Sequence, residues 1–119
     1  MAHHIKKPTV IESAGNKPKR IEEFIGLVNS ETSNLSIARM KSPPGWIEPA
    51  QIPAFDEYTF VLKGTVVVIL QDQETFTINE NEIFMAEKGE KVQYSTPHGA
   101  EYIAICLPAF SPLTVNRED

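Results

Sequence analysis

The chain is 119 residues long, with 16 acidic against 11 basic side chains and a formal charge of −5. That length fits one domain with a single core. The acidic balance argues against nucleic acid as a partner, because phosphate binding relies on clustered Lys and Arg, and no apolar run approaches the roughly 20 residues that cross a bilayer. The start, Met1-Ala2-His3-His4-Ile5-Lys6-Lys7, lacks the apolar region of a secretory signal. The single Cys106 has no partner for an internal disulfide. Both observations lead to the expectation of a cytoplasmic protein.

Residues 1–34 read as an N-terminal arm with a short helix or strand, its first 20 residues expected to order only against a partner subunit, with 35–119 as the main domain. Pro8, Gly15 and Pro18 break regular structure early in the arm. His3 and His4 lie near a free end, where fraying outweighs metal binding. Lys17, Lys19 and Arg20 form the one basic cluster; Glu22 and Glu23 follow it, and it reads as a solvated stretch. Ile21, Phe24, Ile25 and Val28 sit at helical spacing, although Gly26 and the β-branched content leave a strand equally open.

From there the pattern has period two. Leu35 to Met40 alternates, with Leu35, Ile37 and Arg39 on one face and Ser36, Ala38 and Met40 on the other. Lys41-Ser-Pro-Pro-Gly45 stops it, since proline donates nothing to a ladder. Further strands are expected over 65–70, 74–78, 83–86, 91–95 and 101–107, separated by turns that include Glu87-Lys88-Gly89-Glu90 and Pro97-His98-Gly99. No helical pattern follows Val28. Evenly spaced short strands predict an all-β sandwich or barrel.

The stretch Gly45 to Gly64 resembles the first sequence motif of the cupin superfamily, G-x5-H-x-H-x3-E-x6-G. Gly45, Glu57 and Gly64 fall in register, while Gln51 and Pro53 stand where the two histidines belong. A second window, Asn81 to Thr96, follows the spacing of the family's second motif. Only Gly89 keeps its identity there; Val92 replaces the histidine. The resemblance implies a cupin-type jelly-roll β-barrel (a double-stranded β-helix) and, because small cupins commonly pair, a homodimer. It also maps the family's metal ligands onto Gln51, Pro53, Glu57 and Val92. Valine and proline offer no donor, so neither metal nor other cofactor is expected, and the family's metal-dependent reactions are not carried across.

If position 92 faces the interior, as the resemblance implies, period two puts Tyr94 there as well. Glu57 and Tyr94 then share a cavity with Gln51. A buried carboxylate without a cation has a raised pKa, which suits a general base near neutrality, and a facing phenol suits a proton donor. Arg39, if inward, offers a fork for an anionic ligand; Trp46, Tyr102 and His98 are further candidate ligand contacts. Against these stand bland readings. Glu57 pairs with Arg39 or with backbone, Tyr94 and Tyr102 are core aromatics, and His98 is a solvated turn residue. Cys106 reads as an inert core thiol, and Phe110 as a cover for a barrel end or a dock for a second subunit. The expectation is a metal-independent cupin binding a small polar or anionic metabolite. The alternatives are a metal-free lyase or isomerase using Glu57 and Tyr94, and a structural or accessory dimer with a filled barrel.

Overall fold

The computed structural model describes residues 1–118. Ten strands occur: β1 (Thr9–Ile11), β2 (Arg20–Ile25), β3 (Ser36–Ser42), β4 (Trp46–Ile47), β5 (Asp56–Gly64), β6 (Val66–Leu70), β7 (Thr75–Ile78), β8 (Ile83–Ala86), β9 (Val92–Thr96) and β10 (Ala100–Leu107). No helix is present among the described residues. The strands form a six-stranded sheet, β1-β2-β3-β10-β5-β8, and a four-stranded sheet, β4-β9-β6-β7, with antiparallel pairing throughout. From β3 onward the chain changes sheet at almost every connection. Such switching wraps the two sheets around one interior, giving the jelly-roll barrel.

Period-two alternation decides which side chains fill that interior. Tyr102, Ala104 and Cys106 of β10 are buried, as are Val92, Tyr94 and Thr96 of β9 and Ser36, Ala38 and Ser42 of β3. Between the sheets Val61, Val66, Val68 and Val92 are completely buried against Ile78 and Ala86. At about 1.5–3 kcal/mol for each large apolar side chain fully buried, this valine-rich layer is a main source of stability. A smaller cluster joins Phe55, Cys106 and Val115, with Phe110 packed edge-on to Phe55 at 5.9 Å between ring centroids. Phe110 thus packs over this second cluster.

Where the helical spacing of Ile21 to Val28 competes with a strand, the strand wins over residues 20–25, and the reason is tertiary. β2 pairs with β3 (Ile21 opposite Met40, Glu22 opposite Arg39), and β1 adds one more strand outside it. Ile21 and Glu23 point inward and are buried. The Glu23 carboxylate accepts hydrogen bonds from the backbone N–H groups of Val28 and Asn29 at 2.9 and 2.8 Å, tying down the loop that follows.

Gly64 ends β5 with φ +74°, beside the register shift at Glu101/Tyr102. A Cβ added there would lie 2.3 Å from the carbonyl oxygen of Gly99, a rigid backbone atom. Both the left-handed φ and the close approach require glycine. Gly64→Ala is therefore expected to lower the unfolding free energy in urea by about 1–3 kcal/mol or more, and an unchanged midpoint would show that the turn relaxes freely.

Candidate functional site

The inner faces of β2, β3, β5, β9 and β10 surround a cavity of about 50 Å³, room for a few water-sized groups. Its walls carry apolar residues from β3 and β10, Ala38, Met40 and Ala104, beside a polar group made of Glu48, Gln51, Glu57 and Tyr94. β5 enters with Glu57 and Thr59 inward, two residues apart, while Tyr58 and Phe60 point out. Tyr94 comes from β9 in step with Val92. Gln51 is fixed by paired backbone hydrogen bonds with Val92, both 2.9 Å.

Three further groups enter from places that the motif comparison does not reach. Glu48 follows β4, two residues past the inward Trp46, and its N–H donates to the Tyr94 carbonyl at 3.3 Å. Arg117 arrives on the C-terminal tail, which runs along residues 50–54 through the N–H of Ala54 to Thr114 O, Ile52 to Asn116 O and Glu118 to Ala50 O. Lys19 precedes β2, one alternation step before Ile21 and Glu23. Its ammonium lies 3.9 Å from the centroid of the Trp46 ring and donates to the Tyr102 hydroxyl at 3.2 Å. Within the basic cluster Lys17 and Arg20 are exposed, as expected of a solvated stretch, but Lys19 reaches into the cavity. Inward alternation carried back from Ile21 to Lys19, and forward from Trp46 to Glu48, is the signal that finds both.

The hydrogen bonding of the site is incomplete. Glu48 Oε2, Gln51 Oε1, Glu57 Oε1, Tyr94 Oη and Arg117 Nε are buried, and none has a protein partner. Glu57 Oε2 accepts a hydrogen bond from the Cys106 thiol at 3.8 Å. Tyr94 lies close enough to Glu57 for each to perturb the other, yet no hydrogen bond of ordinary geometry satisfies either Glu57 Oε1 or the phenol. Burial pushes the Glu48 carboxyl up to about 7, with Glu57 adding to the rise and Lys19 and Arg117 opposing it. Burial likewise raises Glu57, against the pull of Tyr94, Lys19 and Cys106. It also lifts the Tyr94 phenol well above its usual range, reinforced by the negative charge of Glu57. Cys106 is buried and its thiol is pushed up for the same reasons, which keeps it an inert core group.

The structure brings Glu57, Tyr94, Gln51, Trp46 and Tyr102 together around the cavity. Two expected ligand contacts lie elsewhere. Arg39 has the outward phase of β3 and forms an ion pair with Glu101 on the neighbouring β10, so it neither reaches a ligand in the barrel nor pairs with Glu57. His98 is exposed in the turn closed by Gly99 N–H to Thr96 O, and does not line the cavity. Trp46 is 1% exposed; it lines the cavity while its Nε1–H donates to Ala14 O at 3.0 Å. Of the four positions aligned with the family's metal ligands, only Gln51 and Glu57 present side-chain donors to the cavity. Among the described residues no three His, Cys, Asp or Glu side chains converge. An amide and carboxylates without imidazole do not make the histidine-rich centre of metal-dependent cupins.

The carboxyl shifts set a pH dependence. A carboxyl raised from 4.5 to about 7 on folding means that the folded chain holds a proton the unfolded chain releases. Unfolding is then favoured as pH climbs from about 4.5 to about 7, and stability falls over that window by up to about 3 kcal/mol for Glu48. Glu57 acts in the same direction. Urea unfolding of the wild type between pH 5 and 8 should therefore show a loss that Glu48→Gln reduces, and equal slopes for the two proteins would refute this assignment.

No family model matches the chain. A curated relative, the endoribonuclease YbeY of Myxococcus xanthus, is 40% identical over 102 residues, which cover 84% of this chain and 34% of that protein. The chain thus spans about a third of the length of the curated relative it matches. Among solved structures, the EutQ protein of Clostridium difficile superposes with a TM-score of 0.66 at 24% identity, covering 77% of this chain and 64% of that one. The polyketide cyclase RemF of Streptomyces resistomycificus gives 0.75 at 16% identity, covering 98% and 84%. A variant of oxalate decarboxylase from Bacillus subtilis gives 0.74 at 16%, covering 95% of this chain and 31% of the longer protein. With the motif register of Gly45, Glu57 and Gly64 and the two-sheet barrel, these likenesses establish that the chain has the cupin fold.

Proposed function

We propose that this small cupin binds a small polar metabolite in the barrel cavity without a metal ion. One observation carries the reading: five buried polar atoms on Glu48, Gln51, Glu57, Tyr94 and Arg117, around one cavity, lack protein partners. An unsatisfied buried polar group costs about 1–3 kcal/mol, and native proteins keep few of them. Five at one place are well explained by a molecule that completes them. The anionic version of the reading has lost Arg39 to the outer surface, and any anion would meet Glu48 and Glu57 as well as Lys19 and Arg117. A cytoplasmic location, expected from the lone Cys106, is part of the same proposal. Among the described residues no helix is long and apolar enough to cross a membrane.

A thermal-shift screen with hydroxy acids, sugars, nucleosides, amines and divalent metals tests this directly. A ligand at roughly 100 Kd is expected to add about 2.7 kcal/mol, with the gain reduced in Gln51→Ala. Stabilisation by a metal in place of any organic compound would overturn the metal-free reading.

A second reading is a lyase or isomerase, favoured by Glu57 Oε1 and Tyr94 Oη facing one cavity with neither engaged. Glu57 would take a proton from carbon beside a carbonyl, and Tyr94, kept neutral by burial, would donate to the carbonyl or leaving oxygen. Loss of general base catalysis costs typically 10²–10⁴-fold, so Glu57→Gln would lower kcat by that much and leave the fold intact. A binder would instead show a change of affinity with no turnover to lose.

The third reading is an accessory domain, prompted by the partial match to an endoribonuclease. The charge of −5 speaks against a direct role in holding RNA. A homodimer belongs to all three proposals. Support comes from the outer face of the six-stranded sheet, where Tyr58, Phe60, Ile83 and Met85 are exposed on the adjacent strands β5 and β8. Phe60→Lys, opposite Ile83 in that band, is expected to turn a dimer into a monomer in sedimentation velocity, whereas a wild type that is already monomeric would refute the pairing.

A further inference from the structure

Residues 12–19 form a strap between β1 and β2, laced to the turn that carries Trp46. The N–H of Asn16 donates to Ile47 O at 3.0 Å, Asn16 Oδ1 accepts from Ile47 N–H at 2.9 Å, and Lys17 Nζ donates to Pro44 O at 3.1 Å. Gly15 lies so close to the indole that a Cβ there would meet Trp46 Nε1 at 2.4 Å. The last residue of this strap, Lys19, reaches back into the cavity.

Lys19 Nζ occupies a cation site built by other residues. The Trp46 face is 3.9 Å away and the Tyr102 ring 5.6 Å, both within the range of an effective cation–π contact. Of the ammonium's three donors, the Tyr102 hydroxyl takes one. Neither Glu48 nor Glu57 lies within ion-pair distance of it, although both feel its charge. The hydrogen-bonding capacity left over in the cavity is also lopsided. Three acceptor oxygens, on Glu48, Gln51 and Glu57, face two donors, the Tyr94 hydroxyl and Arg117 Nε. Glu48 and Gln51 are 5% and 4% exposed, so bulk water does not make up the difference.

We propose that the cavity is a receptor for a small organic ammonium ion, and that Lys19 is an intramolecular occupant which the ligand displaces from the Trp46–Tyr102 cage as the 12–19 strap releases. This rests on the binding reading above and narrows it to one chemical class. A ligand ammonium is freer than a tethered lysine to move between the cage and the three acceptor oxygens, and a hydroxyl or carboxyl elsewhere on the ligand would answer Arg117 Nε. Because a tethered group competes at high effective concentration, removal of the Lys19 side chain should unmask the site.

Trp46 is the sole tryptophan, so its emission reports on the cage. The experiment titrates wild type, Lys19→Ala and Lys19→Met (which keeps an unbranched apolar side chain should the alanine variant unfold) with propylamine and 3-amino-1-propanol. Propionate and glycerol serve as anionic and neutral counterparts. Saturable binding of the amines is expected to be at least tenfold tighter in either variant than in the wild type, and to weaken at least fivefold when Glu48→Gln is added. Equal amine affinity with and without Lys19, or a preference for propionate, overturns the ammonium assignment. Binding of propionate or glycerol without amine binding removes only this inference and leaves the polar cavity standing. Silence of Trp46 toward all four compounds in every variant, together with no ligand in the thermal-shift screen, removes both.

Discussion

Removing a carboxylate from water costs several kcal/mol unless a cation or a set of hydrogen bonds takes water's place. Glu48 and Glu57 both bear that cost inside this barrel. The ion pairs among the described residues, Arg20–Glu22, Arg39–Glu101 and Lys91–Glu118, include neither of them. Burial is accordingly the first cause of the raised pKa of each. The rest of the structure can be understood as the means of holding these two groups in that unfavourable place. The valine layer of Val61, Val66, Val68 and Val92 supplies apolar burial on one side of the interior. The backbone ladder from β10 to β3 and β5 fixes the strands from which the polar side chains project.

The interior is thus divided, with close-packed apolar side chains in one part and incompletely bonded polar groups in the other. A barrel maintained only for stability would fill the second part as it fills the first, because apolar replacement of buried charge is often neutral or stabilising. Local deviations from good packing and polar satisfaction tend to coincide with function. The contacts around the cavity follow the same division. Trp46, Tyr102 and Phe110 supply aromatic surface, while the strap and the C-terminal tail each contribute one cation, Lys19 and Arg117.

Much of the fold was legible in the sequence because its cues are local. Alternation between apolar and small or polar residues places β3, β9 and β10, and the turns at Gly89 and Gly99 carry positive φ as glycine-marked turns do. Glu57 was legible through motif spacing, and Tyr94 through its phase relative to Val92. What lay hidden depends on contacts distant in sequence. Whether residues 20–25 form a helix or a strand is decided by β3 and by the carboxylate of Glu23. Arg39 is turned outward by the phase of β3 and held there by Glu101, more than 60 residues away. Arg117 reaches the cavity because the tail pairs with residues 50–54, and no local pattern announces that pairing. Lys19 hid within a charged run whose composition resembles solvated surface.

The central claim is that Glu57 is kept for a ligand or a reaction and not for the barrel itself. The unfolding free energy of Glu57→Leu against wild type at pH 7.5, with no ligand added, tests it most directly. Leucine is of similar size and removes the buried carboxyl together with its desolvation cost. The account predicts a variant as stable as the wild type or more stable, by up to about 1–4 kcal/mol. A loss of stability would show that Glu57 holds the barrel together, and would contradict the claim.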